Sequence, residues 1–283
     1  MEQITVSVII PITNRKCTPD YLNAMYKNTK EKDWELILIT DDLLEEPIGY
    51  SLKGSDIIFS ELKDLLGKNE NVHFLKSSNS GYKIDATNKT FRISAAINYG
   101  ATHAAGKYIF IASDDWYYSP YWLENYLDIT KKVNMDKTVI VSINLESLKI
   151  CEKDDDPKEK MWNTLIEAGR RYMFISRDIS NGVDETELIK YFKDTKMDCF
   201  DVEMNCEGPL GNGAPIFMLK SNWDKLGGRK LSNCGNTEID FIDRLKSMGF
   251  TKIVPRNIYT FNNLHNRDNV IKINYNWDRK DFK

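Results

Sequence analysis

Short apolar runs alternate with amphipathic stretches through the first half of the chain. Val6–Ile12, Trp34–Thr40 and Lys107–Ala112 are apolar along most of their length, which is typical of strands buried on both faces of a parallel sheet. Asn71–Leu75 is a shorter run of the same kind. Helices are predicted at Asp20–Lys30 and Phe91–Ala105, where apolar residues recur at helical spacing. This alternation predicts an α/β fold with a right-handed, mostly parallel sheet flanked by helices.

The second half of the chain is less regular. Its predicted elements are helices around Tyr121–Val133, from Asp184 to about Lys193 and beginning near Asn236, and strands at Thr138–Ile143 and Pro215–Leu219. The Asp184 helix is predicted because its first residues resemble a capping box. Residues 151–211 otherwise show no regular pattern, and we expect them to form a helical or irregular region.

Composition and charge exclude several classes of protein. The 283 residues contain 39 Lys and Arg against 42 Asp and Glu, and a net charge of -3 does not favour binding through nucleic-acid phosphates. Apolar runs fall far short of the roughly 20 residues of a membrane-spanning helix, and Met1–Thr5 shows no basic leader. The five cysteines are widely spaced without a C-x-x-C pair, which argues against a zinc site or a disulfide framework. We therefore expect a cytoplasmic protein without a transmembrane segment.

Two adjacent carboxylates, Asp114 and Asp115, follow directly after the strand predicted at Lys107–Ala112. Their mutual repulsion would be relieved by a divalent cation, and Mg²⁺ and Mn²⁺ prefer oxygen ligands such as carboxylates and phosphates. The alternative is that both residues cap the helix predicted near Tyr121, since Asp favours such positions. The pair alone supports both interpretations equally.

A second acidic pair, Asp41 and Asp42, ends the strand predicted at Trp34–Thr40. In a parallel sheet this pair lies on the same rim as Asp114, where ligands bind beyond the carboxyl ends of strands. Carboxylates there suit hydrogen bonding to a ribose or a base. A solvated turn is the alternative, and it is equally compatible with the pair alone.

Glu238 lies at the start of the helix predicted from about Asn236. The residues three, four and seven positions further on are Phe241, Ile242 and Leu245, so Glu238 stands at the amino end of the buried face. A helix amino terminus stabilises the carboxylate form, which a general base needs. The alternative is an acidic first-turn residue favoured by the same dipole.

Several segments resemble, in order and spacing, the motifs of family 2-type glycosyltransferases with the GT-A fold. On the nucleotide side they are Val6–Asn14, the strand end at Asp41 and Asp42, Asn79–Gly81, Ala96–Gly100, Ala105–Ile109 and Ser113–Asp115. On the acceptor side they are Leu226–Gly228, Glu238–Asp240, and Arg244 with Leu245 before Gly249. The resemblance covers residues 5–115 well and residues 212–253 moderately.

The resemblance implies transfer of a sugar from a nucleotide-sugar, with a UDP-sugar as the favoured donor, to a hydroxyl group, with inversion, in polysaccharide biosynthesis. It implies that Asp115 binds Mn²⁺ or Mg²⁺, that Asp114 lies near the ribose, and that Glu238 is the general base. The residues implied to bind the nucleotide are Pro11, Thr13, Asn14, Asp41 and Asp42.

The chain departs from the family pattern at three places. Ser113 stands where an earlier aspartate is frequent, and Ile97 stands where many members have an arginine. Contacts to the phosphates or the base are therefore expected from Lys83 or Arg92. The usual Glu-Asp pair is replaced by Thr237 followed by Glu238.

Two further features each keep two interpretations. His265 lies in a polar stretch after the last predicted core strand, and it is either a metal ligand, as late histidines are in some GT-A enzymes, or a solvated loop residue. Five aromatic residues follow the acidic motif, and they either stack on a sugar ring or belong to the core. They are Trp116, Tyr117, Tyr118, Tyr121 and Trp122.

Two other functions are compatible with this architecture. A nucleotidyltransferase that makes nucleotide-sugars would carry a glycine-rich basic loop after the first strand, whereas Pro11–Lys16 contains no glycine. A non-catalytic sugar- or partner-binding relative is favoured if Ser113 and Thr237 mark a lost site.

The resemblance also implies one GT-A domain over residues 1–283, with a nucleotide-sugar half at 1–118 and an acceptor half at 119–283 that includes the variable segment 151–211. The expected partners are a nucleotide-sugar donor and a glycan, lipid-linked or protein acceptor, without nucleic acid. Peripheral association with the inner face of a membrane is compatible with this function.

Overall fold

The computed structural model describes residues 4–12, 18–40, 62–67, 69–83, 89–114, 116–148, 172–176, 203–205, 215–231, 237–253 and 258–262. Their strands are β1 (Val6–Ile12), β2 (Trp34–Thr40), β3 (Val72–Lys76), β4 (Tyr108–Ile111), β5 (Tyr117–Tyr118), β6 (Thr138–Val141), β7 (Ile143–Leu148), β8 (Tyr172–Ser176), β9 (Glu203–Asn205), β10 (Ile216–Leu219), β11 (Thr251–Ile253) and β12 (Tyr259–Asn262). Their helices are α1 (Thr18–Lys27), α2 (Lys89–His103), α3 (Trp122–Thr130), α4 (Lys220–Leu226) and α5 (Thr237–Ser247), with 3₁₀ turns at Ser77–Ser80 and Met135–Lys137.

The central sheet has eight strands in the order β3-β2-β1-β4-β10-β6-β11-β9. Strands β3, β2, β1 and β4 are parallel, and β6 and β11 run in the same direction as these four because β10 is antiparallel to both β4 and β6. β9 and β10 therefore run opposite to the other six strands of this sheet. A second sheet has the order β5-β12-β7-β8.

The prediction of a mostly parallel α/β sheet flanked by helices is confirmed. The first two predicted strands have the observed bounds, and the other predicted strands within the described residues differ by one or two residues at an end. Residues 151–211 differ from the prediction, because β8 and β9 lie within them. Both strands pair with partners distant in sequence, which no local pattern reveals. The helix predicted from Asp184 lies outside the described residues.

The two faces of the central sheet carry separate hydrophobic clusters. On one face, side chains of α1 and α3 such as Met25 and Trp122 pack against Val8 and Ile10 of β1. On the other face, α2, α4 and α5 cover Ile9 and its neighbours. Alternate residues of β1 thus point to opposite clusters, which explains why the strand is apolar except at Ser7. Among the described helices, none is long and apolar enough to cross a membrane.

Candidate functional site

The carboxyl ends of four parallel strands meet at one edge of the central sheet. Ile12 of β1 pairs with Thr40 of β2, and Thr40 pairs with Lys76 of β3. On the other side of β1, Ile9 pairs with Ile111, the last residue of β4. The chain segments that follow these strands therefore leave the sheet at the same edge, where ligands bind in open α/β sheets.

Two helices that cover the sheet begin at this carboxyl edge. α1 follows β1, and its first residue, Thr18, contacts Asp114 beyond the end of β4. α2 ends at the opposite, amino edge, because the N–H of Gly106, three residues after the helix, donates to Ser7 at the start of β1. The amino ends of both helices therefore place partial positive charge near the carboxyl edge, which favours an anionic ligand there.

Asp114 lies at this edge and is completely buried. Its Oδ2 accepts a hydrogen bond of 3.0 Å from Oγ1 of Thr18, which is also buried. The N-cap residue of α3 is Tyr121. Asp114 therefore does not cap this helix, which was the alternative interpretation of its role. A carboxylate held inside the protein at a sheet edge requires polar partners, and Thr18 supplies one.

The residue before this carboxylate, Ser113, is held by the hydroxyl group of Tyr118. That hydroxyl accepts a 2.9 Å hydrogen bond from the Ser113 N–H and donates a 3.1 Å bond to the Ser113 carbonyl oxygen. Asn28, just after α1, donates to the backbone carbonyl of Tyr118 at 2.9 Å and to the Tyr117 hydroxyl at 3.1 Å. Ser113, the first residue of the acidic motif, is thus connected to β5 and, through it, to the end of α1.

The aromatic residues after the acidic motif belong to the core. All five are buried, and Trp122 stacks on Phe110 with ring centroids 5.1 Å apart. The indole N–H of Trp122 donates to the carbonyl of Met25 at 2.9 Å, so its polar atom is also satisfied inside. Of the two interpretations that the sequence leaves open for this cluster, the structure favours core over an exposed surface for a sugar ring.

Helix α5 carries the candidate base. Its residues Phe241 and Leu245 are buried in the same cluster as α2, which confirms this part of the predicted inward stripe. Only three residues separate α5 from β11, so the carboxyl end of α5 lies at the start of that strand. A helix of this length spans about 16 Å at 1.5 Å a residue, and we infer that its first turn lies toward the carboxyl edge. The backbone of Glu238 belongs to that turn, and its side chain lies outside the described part of the structure.

The glycine pair Gly227 and Gly228 follows α4, and hydrogen bonds from α2 and α5 hold the backbone around it. The side-chain amide of Asn98 in α2 donates to the Arg229 carbonyl at 2.7 Å and accepts from the Arg229 N–H at 2.9 Å. Arg244 in α5 donates to the carbonyls of Leu226 and Gly228. Gly228 has φ +68°, and a Cβ there would lie 2.6 Å from Asn98 Oδ1, so both the backbone angle and the contact require glycine.

The remaining predicted site residues have the following positions. Pro11 is the penultimate residue of β1, Lys83 is exposed beyond the Ser77–Ser80 turn, and Arg92 lies in the first turn of α2 without a described side chain. Thr13, Asn14, Asp41, Asp42, Asp115 and His265 lie outside the described residues. Within the described part of the chain there is no group of three or more His, Cys, Asp or Glu that could hold a metal ion.

The sequence does not predict the hydrogen bonds formed by Thr18, Tyr118 and Asn98, although Tyr118 and Asn98 lie in segments that the sequence analysis identifies. Each acts through a hydrogen bond to a residue that is not its helical neighbour, and two of these bonds span 96 and 131 positions.

No known family model matches the chain, and no protein of curated function matches it at a significant level.

Proposed function

We propose that the protein is a metal-dependent, inverting glycosyltransferase of the GT-A type that uses a nucleotide-sugar donor, with a UDP-sugar favoured. The observation that carries the proposal is the buried Asp114 at the carboxyl edge of the four parallel strands. It is followed by a second carboxylate, Asp115, in a motif that resembles the metal-binding motif of this family. The sheet order β3-β2-β1-β4 agrees with a nucleotide-binding half of Rossmann type.

The donor set of the motif fits a hard divalent cation, because it consists of carboxylate oxygens at an edge that also favours phosphate. Asp115 and His265 would hold Mn²⁺ or Mg²⁺, and the cation would neutralise charge on the leaving diphosphate. Asp114, Pro11, Thr13, Asn14, Asp41 and Asp42 would line the nucleoside side, with Lys83 or Arg92 near the phosphates or the base. A bound cation would offset the negative charge of these carboxylates and of the diphosphate.

In the proposed reaction, the oxygen of an acceptor hydroxyl forms a bond to the anomeric carbon of the donor sugar. The bond from that carbon to the diphosphate oxygen breaks, and the diphosphate leaves with its electron pair. The hydroxyl proton passes to the carboxylate of Glu238. The position of the first turn of α5 toward the carboxyl edge supports this role, because the base then approaches the same edge as the donor.

Thermal unfolding with UDP-, GDP- and dTDP-sugars, each with and without Mn²⁺, tests the proposal. A ligand at a hundred times its dissociation constant stabilises the folded state by about 2.7 kcal/mol. We expect one nucleotide class to raise the Tm, and only with the cation present. Failure of every nucleotide to shift the Tm contradicts the proposal.

The variant Asp115→Asn separates an active enzyme from a non-catalytic relative. We expect the wild-type protein to hydrolyse a nucleotide-sugar slowly in a Mn²⁺-dependent manner, and Asp115→Asn to lose most of this activity. Asp224→Asn, on the exposed surface of α4, is the matched control and keeps wild-type hydrolysis. Unchanged Mn²⁺ dependence in Asp115→Asn contradicts the metal assignment, and nucleotide binding without hydrolysis indicates a non-catalytic relative.

A further inference from the structure

Tyr118 is a core residue whose hydroxyl group forms two hydrogen bonds with the backbone of the acidic motif. The hydroxyl accepts from the Ser113 N–H at 2.9 Å and donates to the Ser113 carbonyl at 3.1 Å. One side-chain oxygen thus bonds both backbone polar groups of Ser113, the residue immediately before Asp114. These two contacts restrict rotation of the peptide units on either side of Ser113, which directly precede the two carboxylates.

The ring of Tyr118 is itself held in place. It is 1% exposed and lies against the rings of Phe110 and Trp122, each with a centroid distance of 5.8 Å. The backbone of Tyr118 pairs with Thr260 of β12 and accepts a hydrogen bond from Asn28. The hydroxyl is therefore presented to Ser113 by two sheet strands and a packed aromatic cluster, which leaves it few other orientations.

We propose that Tyr118 is a positioning residue for the acidic motif, holding Asp114 and the following carboxylate in the orientation that binds a cation and a nucleoside diphosphate. This inference rests on the proposed function. Two adjacent carboxylates repel each other before a cation arrives, and a fixed backbone keeps them at the site without adding a group that competes for the cation. Support of this kind lowers the reorganisation that accompanies ligand binding.

A tyrosine with only a structural role would contribute to stability and not to ligand binding. Tyr126 is such a residue and serves for comparison. Tyr126 is buried in the same aromatic cluster, with its ring 5.0 Å from that of Phe110. Its hydroxyl oxygen is buried and forms no hydrogen bond with the described residues of the acidic motif. Tyr126→Phe removes the same oxygen atom from the same cluster, so it is a matched control for Tyr118→Phe.

The experiment measures the dissociation constant of UDP by titration calorimetry over a series of MnCl₂ concentrations, below the Tm of each variant. We expect Tyr118→Phe to weaken Mn²⁺-dependent UDP binding by about 10- to 100-fold, as loss of supporting contacts around a metal site does. High MnCl₂ restores part of this loss. Tyr126→Phe binds UDP and Mn²⁺ as the wild type does.

The outcomes separate the two proposals. Wild-type affinity for UDP in Tyr118→Phe overturns the positioning role. An equal loss of affinity in Tyr118→Phe and Tyr126→Phe also overturns it. Both results leave the glycosyltransferase proposal standing. A wild-type protein that binds neither Mn²⁺ nor UDP overturns both. If Tyr118→Phe does not fold, Asn28→Ala replaces it, because it removes the bond to the Tyr118 backbone and keeps the hydroxyl. Several-fold weaker binding supports the proposal and unchanged binding contradicts it.

Discussion

Asp240 lies in α5 between two basic side chains, one from the segment after α4 and one from the next turn of α5. Lys230 Nζ is 2.6 Å from Oδ1, and Arg244 Nε is 2.8 Å from Oδ2. Partial burial acts against the charged form, but the hydrogen bonds and charges of Lys230 and Arg244 outweigh it and hold the pKa of Asp240 below its ordinary value of 3.8. The same arginine also bonds the glycine pair, so this cluster joins α5 to the preceding loop.

We expect Asp240→Asn to lower the free energy of unfolding by about 1 kcal/mol at pH 7. A depressed folded-state pKa stabilises the protein above the ordinary pKa, and that contribution disappears as the pH falls through the folded-state value. The difference between variant and wild type therefore shrinks below about pH 4. Urea unfolding at pH 7, 5 and 3 measures it, with the exposed Asp243→Asn as control. A difference that stays constant with pH rules out the ion pairs as its source.

Asp114 is predictable from sequence because a carboxylate directly after an apolar run marks the end of a buried strand. Its partner is not, because Thr18 is 96 positions away and shows no local pattern. Tyr121 is similar: its φ of 58° is unusual for an aromatic residue, and its N–H donates to the carbonyl of Asn28 at 2.6 Å. Tertiary contacts determine both the pairing of Thr18 with Asp114 and the backbone conformation of Tyr121. The candidate site can therefore be predicted only in part from the sequence.

Helix α2 approaches the sheet closely at a residue without a side chain. A Cβ on Gly100 would lie 2.6 Å from Cγ2 of Ile9 and 2.9 Å from Cδ1 of Ile39. We expect overpacking in Gly100→Ala to lower the free energy of unfolding by about 1–3 kcal/mol. The higher helix propensity of alanine offsets up to about 1 kcal/mol of this loss. Chemical denaturation measures it. Thr102→Ala, on the exposed side of the same helix, changes stability by less than about 0.5 kcal/mol. Equal effects of the two substitutions contradict this account.

At the scale of elements, burial on both faces makes β1, β2 and β4 recognisable as mostly apolar runs. The second sheet has no such signal, because β5 is two residues long and is paired by a strand more than a hundred positions later. Its formation depends on where the first sheet places these segments. Local pattern therefore predicts the parallel half of the fold and leaves the second sheet to be found in the structure.

The central sheet has two chemically different edges. At the amino edge, the buried carboxylate of Glu35 accepts hydrogen bonds from Ser7 Oγ at 2.5 Å and from the Ala105 N–H at 2.7 Å, and His73 Nε2 lies 3.1 Å from its other oxygen. These contacts join three strands to the turn after α2. At the carboxyl edge, the buried polar groups of Thr18 and Asp114 lie where ligands bind in such sheets. We therefore expect stability and ligand binding to depend on opposite edges of the sheet.

Hydrogen exchange over the whole molecule tests this division. We expect UDP with Mn²⁺ to slow exchange in peptides that cover residues 77–83 and 112–118 at the carboxyl edge, because a bound ligand suppresses local opening there. Peptides that cover residues 33–36 and 103–107 at the amino edge keep their exchange rates. Mn²⁺ alone and UDP alone are the controls, and each produces less protection than the pair. Protection spread evenly over both edges, or concentrated around Glu35, places the ligand elsewhere and contradicts a binding site at the carboxyl edge.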